Sequence, residues 1–217
     1  MTMLVLGACA RGGPGIADDG AAVDATVRRD SLEVFPDAPR PPDACIPAVT
    51  QLLQNPAYDL TPQGTGWIEQ RIQAGYPLIT GQDPVAEHSA PYKAWLGGLT
   101  GNDVTDVLYQ DIAIPPATTQ LVLAGYYDVR TDESSTASMT YDTGSLAVTR
   151  TDGTPIVTPL LLSNLTPKAA WTSFTHTFTQ DLSGQTVRVR MTSTNDSSYV
   201  TSFYFDTFSL TATHGCP

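Results

Sequence analysis

The sequence predicts an all-β fold, an antiparallel β-sandwich preceded by a disordered Pro/Gly/Ala-rich linker. Three observations predict it. From Cys45 onward, short apolar or alternating runs are separated by Gly, Pro, Asn and Asp, the punctuation of strands and turns. Thr and Val crowd those runs, as strands prefer. No segment carries a long 3.6-residue period with caps, so nothing suggests the helical crossovers that parallel pairing needs.

The strands are placed as follows: Thr50–Gln54, Trp67–Ile72, Lys93–Gly97, Val107–Ile114, Gln120–Val129, Ser145–Thr149, Ile156–Leu162, Thr172–Thr179, Thr186–Thr194 and Thr201–Thr211. In Gln120–Val129, Leu121, Leu123 and Val129 share one parity while Val122 and Ala124 take the other. A central strand covered on both faces at its start is expected there. In Thr186–Thr194, Val187, Val189 and Met191 alternate with Arg188 and Arg190, one buried face and one wet face. A polar turn at Asn195–Ser198 leads into the last strand, so the two read as a hairpin-like pair. The last strand changes parity: Phe203 and Phe205 are out of phase with Phe208 and Leu210. One extra residue near Asp206–Thr207 absorbs the shift, which predicts a β-bulge that re-aims the Asp206 carboxylate.

The chain has 217 residues, with 22 acidic against 11 basic side chains and a net charge of −11. Such a balance argues against nucleic acid and against an anionic membrane surface, both of which need clustered basic groups. Residues 1–9 read as a truncated lipoprotein signal peptide, 10–44 as a disordered tether and 45–217 as the folded domain. Leu6-Gly7-Ala8-Cys9 looks like a bacterial lipobox, in which Cys9 would be lipidated. The apolar run before it is shorter than the roughly 7–15 residues of an ordinary signal core. Ala10 in place of Asp leads to the expectation of an exported lipoprotein at the outer membrane or cell surface. It would meet the membrane through its lipid anchor only. Cys45 and Cys216 remain, one at each edge of the folded region, and an oxidising compartment would let them pair as a disulfide. A monomer is expected.

The ordered set Leu53-Gln54-Asn55-Pro56-Ala57-Tyr58-Asp59, Gly66-Trp67, Ala94-Trp95-Leu96-Gly97-Gly98, Leu108–Pro115, Ser145-Leu146-Ala147-Val148, Gly184–Val187 and Phe203-Tyr204-Phe205-Asp206 resembles a known group. These are the bacterial jelly-roll modules related to carbohydrate-binding modules of the galactose-binding-domain-like kind. The resemblance spans about Ala48 to Leu210 and implies an antiparallel jelly-roll β-sandwich. It also implies one structural calcium ion pinning the first strand to the last, with its acidic ligands at Asp59 and Asp206. The physics suits calcium, which needs several oxygens. This chain departs from the pattern twice: the group more often has Glu at the Asp59 position and a second Asp where Thr207 stands.

Little in the sequence suggests catalysis. His88, His176 and His214 are far apart, Glu87-His88 lacks a second metal-binding histidine, and no nucleophile elbow or phosphate-binding loop occurs. The expectation is a non-enzymatic binding module. Tyr109 and Asp111, Tyr126 and Asp128, and Arg188 and Arg190 are alternate residues of predicted strands, opposite in parity to their apolar neighbours. If those strands share a sheet, its outer face offers rings and hydrogen-bonding charges to a polysaccharide or glycan. The competing reading is a solvated face of cross-strand charge pairs, on an envelope protein with no sugar ligand. Trp67, Trp95 and Trp171 are expected in the core.

Overall fold

The structure is a computed structural model that describes residues 46–71, 75–82, 84–99, 104–167 and 170–215. Cys9, Cys45, Cys216 and the linker lie outside the described residues. Eleven strands are described: β1 (Ala48–Gln51), β2 (Ile68–Gln70), β3 (Ile79–Thr80), β4 (Lys93–Gly97), β5 (Val104–Ala113), β6 (Thr118–Thr131), β7 (Thr143–Arg150), β8 (Pro155–Ser163), β9 (Thr172–Thr177), β10 (Thr186–Asn195) and β11 (Thr201–His214). They form two antiparallel sheets. The first has the order β3-β4-β11-β6-β9, with β1 also on β11; the second has the order β2-β5-β10-β7-β8. All ten expected strands are present. β3 was not foreseen, because two residues between Pro77 and Gly81 carry no periodicity.

One expectation about pairing is overturned. β10 and β11 are not a hairpin: β10 pairs with β5 and β7, whereas β11 pairs with β1, β4 and β6. The chain changes sheets across Asp196–Val200, the habit of a jelly roll, in which consecutive strands need not be partners. Alternation reports which face a residue occupies and is silent about the sheet.

Between the sheets lie Leu108, Ile112, Leu146, Val148, Val187, Val189 and Met191 from one side and Leu96, Leu123, Phe203, Phe205 and Leu210 from the other, all buried. β6 is central in its sheet as expected, but Val122 and Ala124 are only half-buried on its outer face.

The bulge is where the parity shift requires it. The β11–β6 register slips between Asp206 and Ser209, and Thr207 takes φ 51°. The extra residue returns Phe208 and Leu210 to the core. β4 and β1 share one edge of β11, pairing with Ser202–Phe205 and Thr211–His214 respectively. Residues 52–59 enter the break between them. Leu52 N–H donates to Leu210 O at 2.8 Å, and Phe208 N–H to Pro56 O at 2.8 Å. Asn55 shapes this segment: Leu60 N–H donates to its Oδ1, its Nδ2 donates to Thr65 O, and Trp67 Nε1 donates to its carbonyl.

Candidate functional site

The six residues expected to form one ligand face lie on opposite sides of the molecule. Tyr109, Asp111, Arg188 and Arg190 belong to β5 and β10 on the outer face of the second sheet. Tyr126 and Asp128 belong to β6, on the outer face of the first. The strands carrying them do not share a sheet, so the single combined surface does not exist.

On the second sheet the four residues are cross-strand neighbours: Arg188 opposes Asp111, and Arg190 opposes Tyr109. Arg188 Nε and Nη2 donate to the two Asp111 oxygens at 2.6 and 2.9 Å. Its guanidinium also stands 4.0 Å from the centre of the Tyr109 ring. The hydrogen bond from Arg188 holds the Asp111 carboxyl below its usual range. Arg190 makes no ion pair with any described residue. Ile68, half exposed on β2, is the other cross-strand neighbour of Tyr109. The result is a ring with the Arg188 guanidinium over it, and with Ile68 and Arg190 as its two cross-strand neighbours.

On the first sheet, the loop before β4 covers Tyr126. The His88 ring stacks on Tyr126 with centroids 3.7 Å apart, so the covered face of the Tyr126 ring is closed to a sugar. Asp128 is buried and accepts from Arg130 Nη2 at 2.7 Å through Oδ2. Of the three tryptophans only Trp67 is in the core. Trp95 is half-buried against Tyr204, its Nε1 donating to Ser202 Oγ. Trp171 is half-buried and its Nε1 donates to Ala86 O.

Asp59 and Asp206, nearly 150 positions apart, are brought together at the break in the β11 edge. Asp206 is fully buried. His88 and Ser89 donate their backbone N–H groups to its Oδ2 at 2.8 and 2.9 Å, and Thr207 N–H donates to Oδ1 at 2.6 Å. Ser89 Oγ donates to Asp59 Oδ2 at 2.9 Å, while Asp59 Oδ1 is buried without a partner. Burial pushes the Asp206 carboxyl up to about 6, the three amides oppose the rise, and the Asp59 charge adds to it. Nothing local in the sequence pointed to His88 and Ser89 as the partners of Asp206.

A hard cation here would meet a mixed set of groups. Two carboxylates converge, and one has a buried oxygen without a donor. Three amides and, at 3.4 Å, the Thr207 hydroxyl engage the roughly four acceptor positions on Asp206. Among the described residues, no three Asp, Glu, His or Cys side chains gather closely enough to hold a metal. A cation here would therefore draw its remaining oxygens from backbone and solvent. The Thr207 hydroxyl, at the usual second-Asp position, is engaged with His88 Nδ1 at 2.7 Å.

Comparison with protein families and with curated proteins finds no match. Solved structures do match. A family 61 carbohydrate-binding module in complex with β-1,4-galactotriose is 11% identical, with a TM-score of 0.50 over 74% of this chain and 97% of that one. A family 16 carbohydrate-binding module is 19% identical, with a TM-score of 0.43 over 73% of this chain and 98% of that one. An arabinose-bound α-L-arabinofuranosidase is 12% identical, with a TM-score of 0.48 over 75% of this chain and 26% of the enzyme. At such identities the first of these similarities establishes architecture: the fold is a jelly roll of the carbohydrate-binding-module kind.

Proposed function

We propose that this chain is a non-catalytic glycan-binding module, exported and held at the cell surface by lipid on Cys9. The observation that supports it best is the outer face of the second sheet. There the Arg188 guanidinium lies over Tyr109, whose cross-strand neighbours are Ile68 and Arg190. An aromatic ring beside forked donors suits a sugar, which offers a C–H face to the ring and hydroxyls to the charges. The Arg188–Asp111 pair satisfies those two side chains mutually, which leaves Arg190 as the donor available to a ligand. A calcium ion between Asp59 and Asp206 completes the proposal as a structural clamp.

The test is affinity electrophoresis of the full chain through gels cast with single polysaccharides, β-1,4-galactan first, then xylans and bacterial envelope glycans. Retardation is expected in at least one gel. Tyr109→Ala or Arg190→Ala should weaken it about tenfold, near 1.4 kcal/mol. Free migration in every gel would leave an envelope protein without a sugar ligand. For the anchor, Cys9→Ser in a full-length precursor is expected to move the protein from the membrane fraction to the soluble one. Unchanged fractionation would remove lipidation from the reading.

A further inference from the structure

A second site is built on the opposite sheet. A cleft of about 520 Å³ opens there. Pro84, Val85, Ala86 and Glu87 form one wall, Ala170 and Trp171 the other, and Asp128 and Arg130 of β6 the floor. The walls are tied together, since Trp171 Nε1 donates to Ala86 O at 3.0 Å. The loop is also fastened to the sheet. His88 and Ser89 N–H groups bond Asp206, and the fully buried Lys93 donates to Glu87 Oε1 at 3.3 Å and Gln82 O at 2.6 Å. The cleft is preformed, as small-molecule sites generally are.

Its charges cancel pairwise, Asp128 with Arg130 and Glu87 with Lys93. A charged ligand therefore gains no net attraction. The hydrogen-bonding capacity does not cancel. Asp128 is 2% exposed and its Oδ1 is buried without a partner, a deficit of one donor. Beside it Arg130 uses one N–H on Asp128 Oδ2 while its side chain is 47% exposed, leaving spare donors of the five it carries. Arg130 is the part of the floor open to the cleft, its side chain 47% exposed, and a ligand hydroxyl meets the buried Asp128 carboxylate only where the guanidinium swings aside. An acceptor lacking a donor next to spare donors matches two adjacent hydroxyls, one donating and one accepting. The indole of Trp171 with Val85 and Ala86 supplies apolar surface for a ring face.

We infer that this cleft is a second carbohydrate site, taking one neutral sugar ring by a vicinal diol held between Asp128 and Arg130, with its C–H face on Trp171. It is independent of the Tyr109 face and can bind whether or not that face does. Two sites on opposite sheets of one tethered module would let it bridge two glycan chains.

The experiment is a titration of the full chain with methyl glycosides of neutral hexoses and pentoses, following the Trp171 indole N–H resonance. At least one glycoside with a free vicinal diol is expected to shift it saturably, and its deoxy analogue lacking one of those hydroxyls should not. Trp171→Ala and Arg130→Met should each weaken binding about tenfold, read from the remaining shifts of the 85–87 amides. Arg130→Met alters a half-exposed side chain, so it keeps the test open should an Asp128→Asn variant fail to fold. Tyr109→Ala should leave the titration unchanged and act only on polysaccharide binding at the other sheet. The inference is overturned if no glycoside perturbs Trp171 saturably, if Arg130→Met binds as the parent does, or if tetramethylammonium alone shifts the resonance.

Discussion

A pH dependence attaches to the buried carboxylate of Asp206, and under the proposed calcium clamp a cation dependence attaches to it as well. Its carboxyl is raised from 3.8 to about 6, so the folded state holds a proton that the unfolded chain has released between those values. The associated stability is present below pH 3.8 and is lost as the pH rises through 6, a difference of about 3 kcal/mol. A cation between Asp206 and Asp59 would replace that proton at neutral pH. In chelator, the melting temperature is therefore expected to fall between pH 5 and pH 7. Calcium at a hundredfold excess over Kd should restore roughly 2.7 kcal/mol at pH 7, or roughly 5–10 °C for a domain of this size, and do little at pH 5. Asp206→Asn should remove both responses. A melting temperature indifferent to chelator and to millimolar calcium at pH 7 would take the ion out of this account.

At the scale of the element, β7 and β11 meet through an absent side chain. Gly144 lies on β7, between Ser193 and Leu162 of its neighbours, and the Phe203 ring of the facing sheet fills its place. A Cβ there would stand 2.7 Å from Phe203 Cγ. Since Phe203 is fully buried, it has nowhere to move without disturbing the core. Gly144→Ala is expected to cost about 1–3 kcal/mol by overpacking, measured as a lower urea midpoint with an unchanged slope. An unchanged midpoint would mean that the two sheets separate more easily than their packing implies. β11 is the element on which the rest depends, since its bulge returns Phe208 and Leu210 to the core while presenting Asp206 to the covering loop.

For the whole molecule, the closing contact is the pairing of β1 with the end of β11, where Ala48 opposes His214. Cys45 and Cys216 flank that ladder in sequence. A bridge between them would close nearly the entire domain into one loop, worth roughly 4–5 kcal/mol in the chain-entropy model. Intact mass of protein made in an oxidising compartment, alkylated before and after reduction, is expected to show no free thiol at these two positions before reduction and two afterwards. Two free thiols in the native protein would rule the bridge out.

The division between sequence and tertiary structure follows from range. Alternation and turn residues are local, so the ten strands, their faces and the bulge at Asp206 were legible from residues a few positions apart. Short β3 lacked enough residues to show a period. Sheet membership is not local, and so β10 and β11 read as partners and six ligand candidates read as one surface. Burial of the outward side chains was equally hidden. The 84–89 loop covers Tyr126 and fastens to Asp206 through backbone amides, which every residue but proline possesses and no sequence pattern announces. The chain alone misplaced Trp95 and Trp171 in the core, but it indicated that Tyr109, Asp111, Tyr126, Asp128, Arg188 and Arg190 point out of their sheets. Only the packing of distant segments decided which of them meet each other, which are covered and which remain open to a ligand.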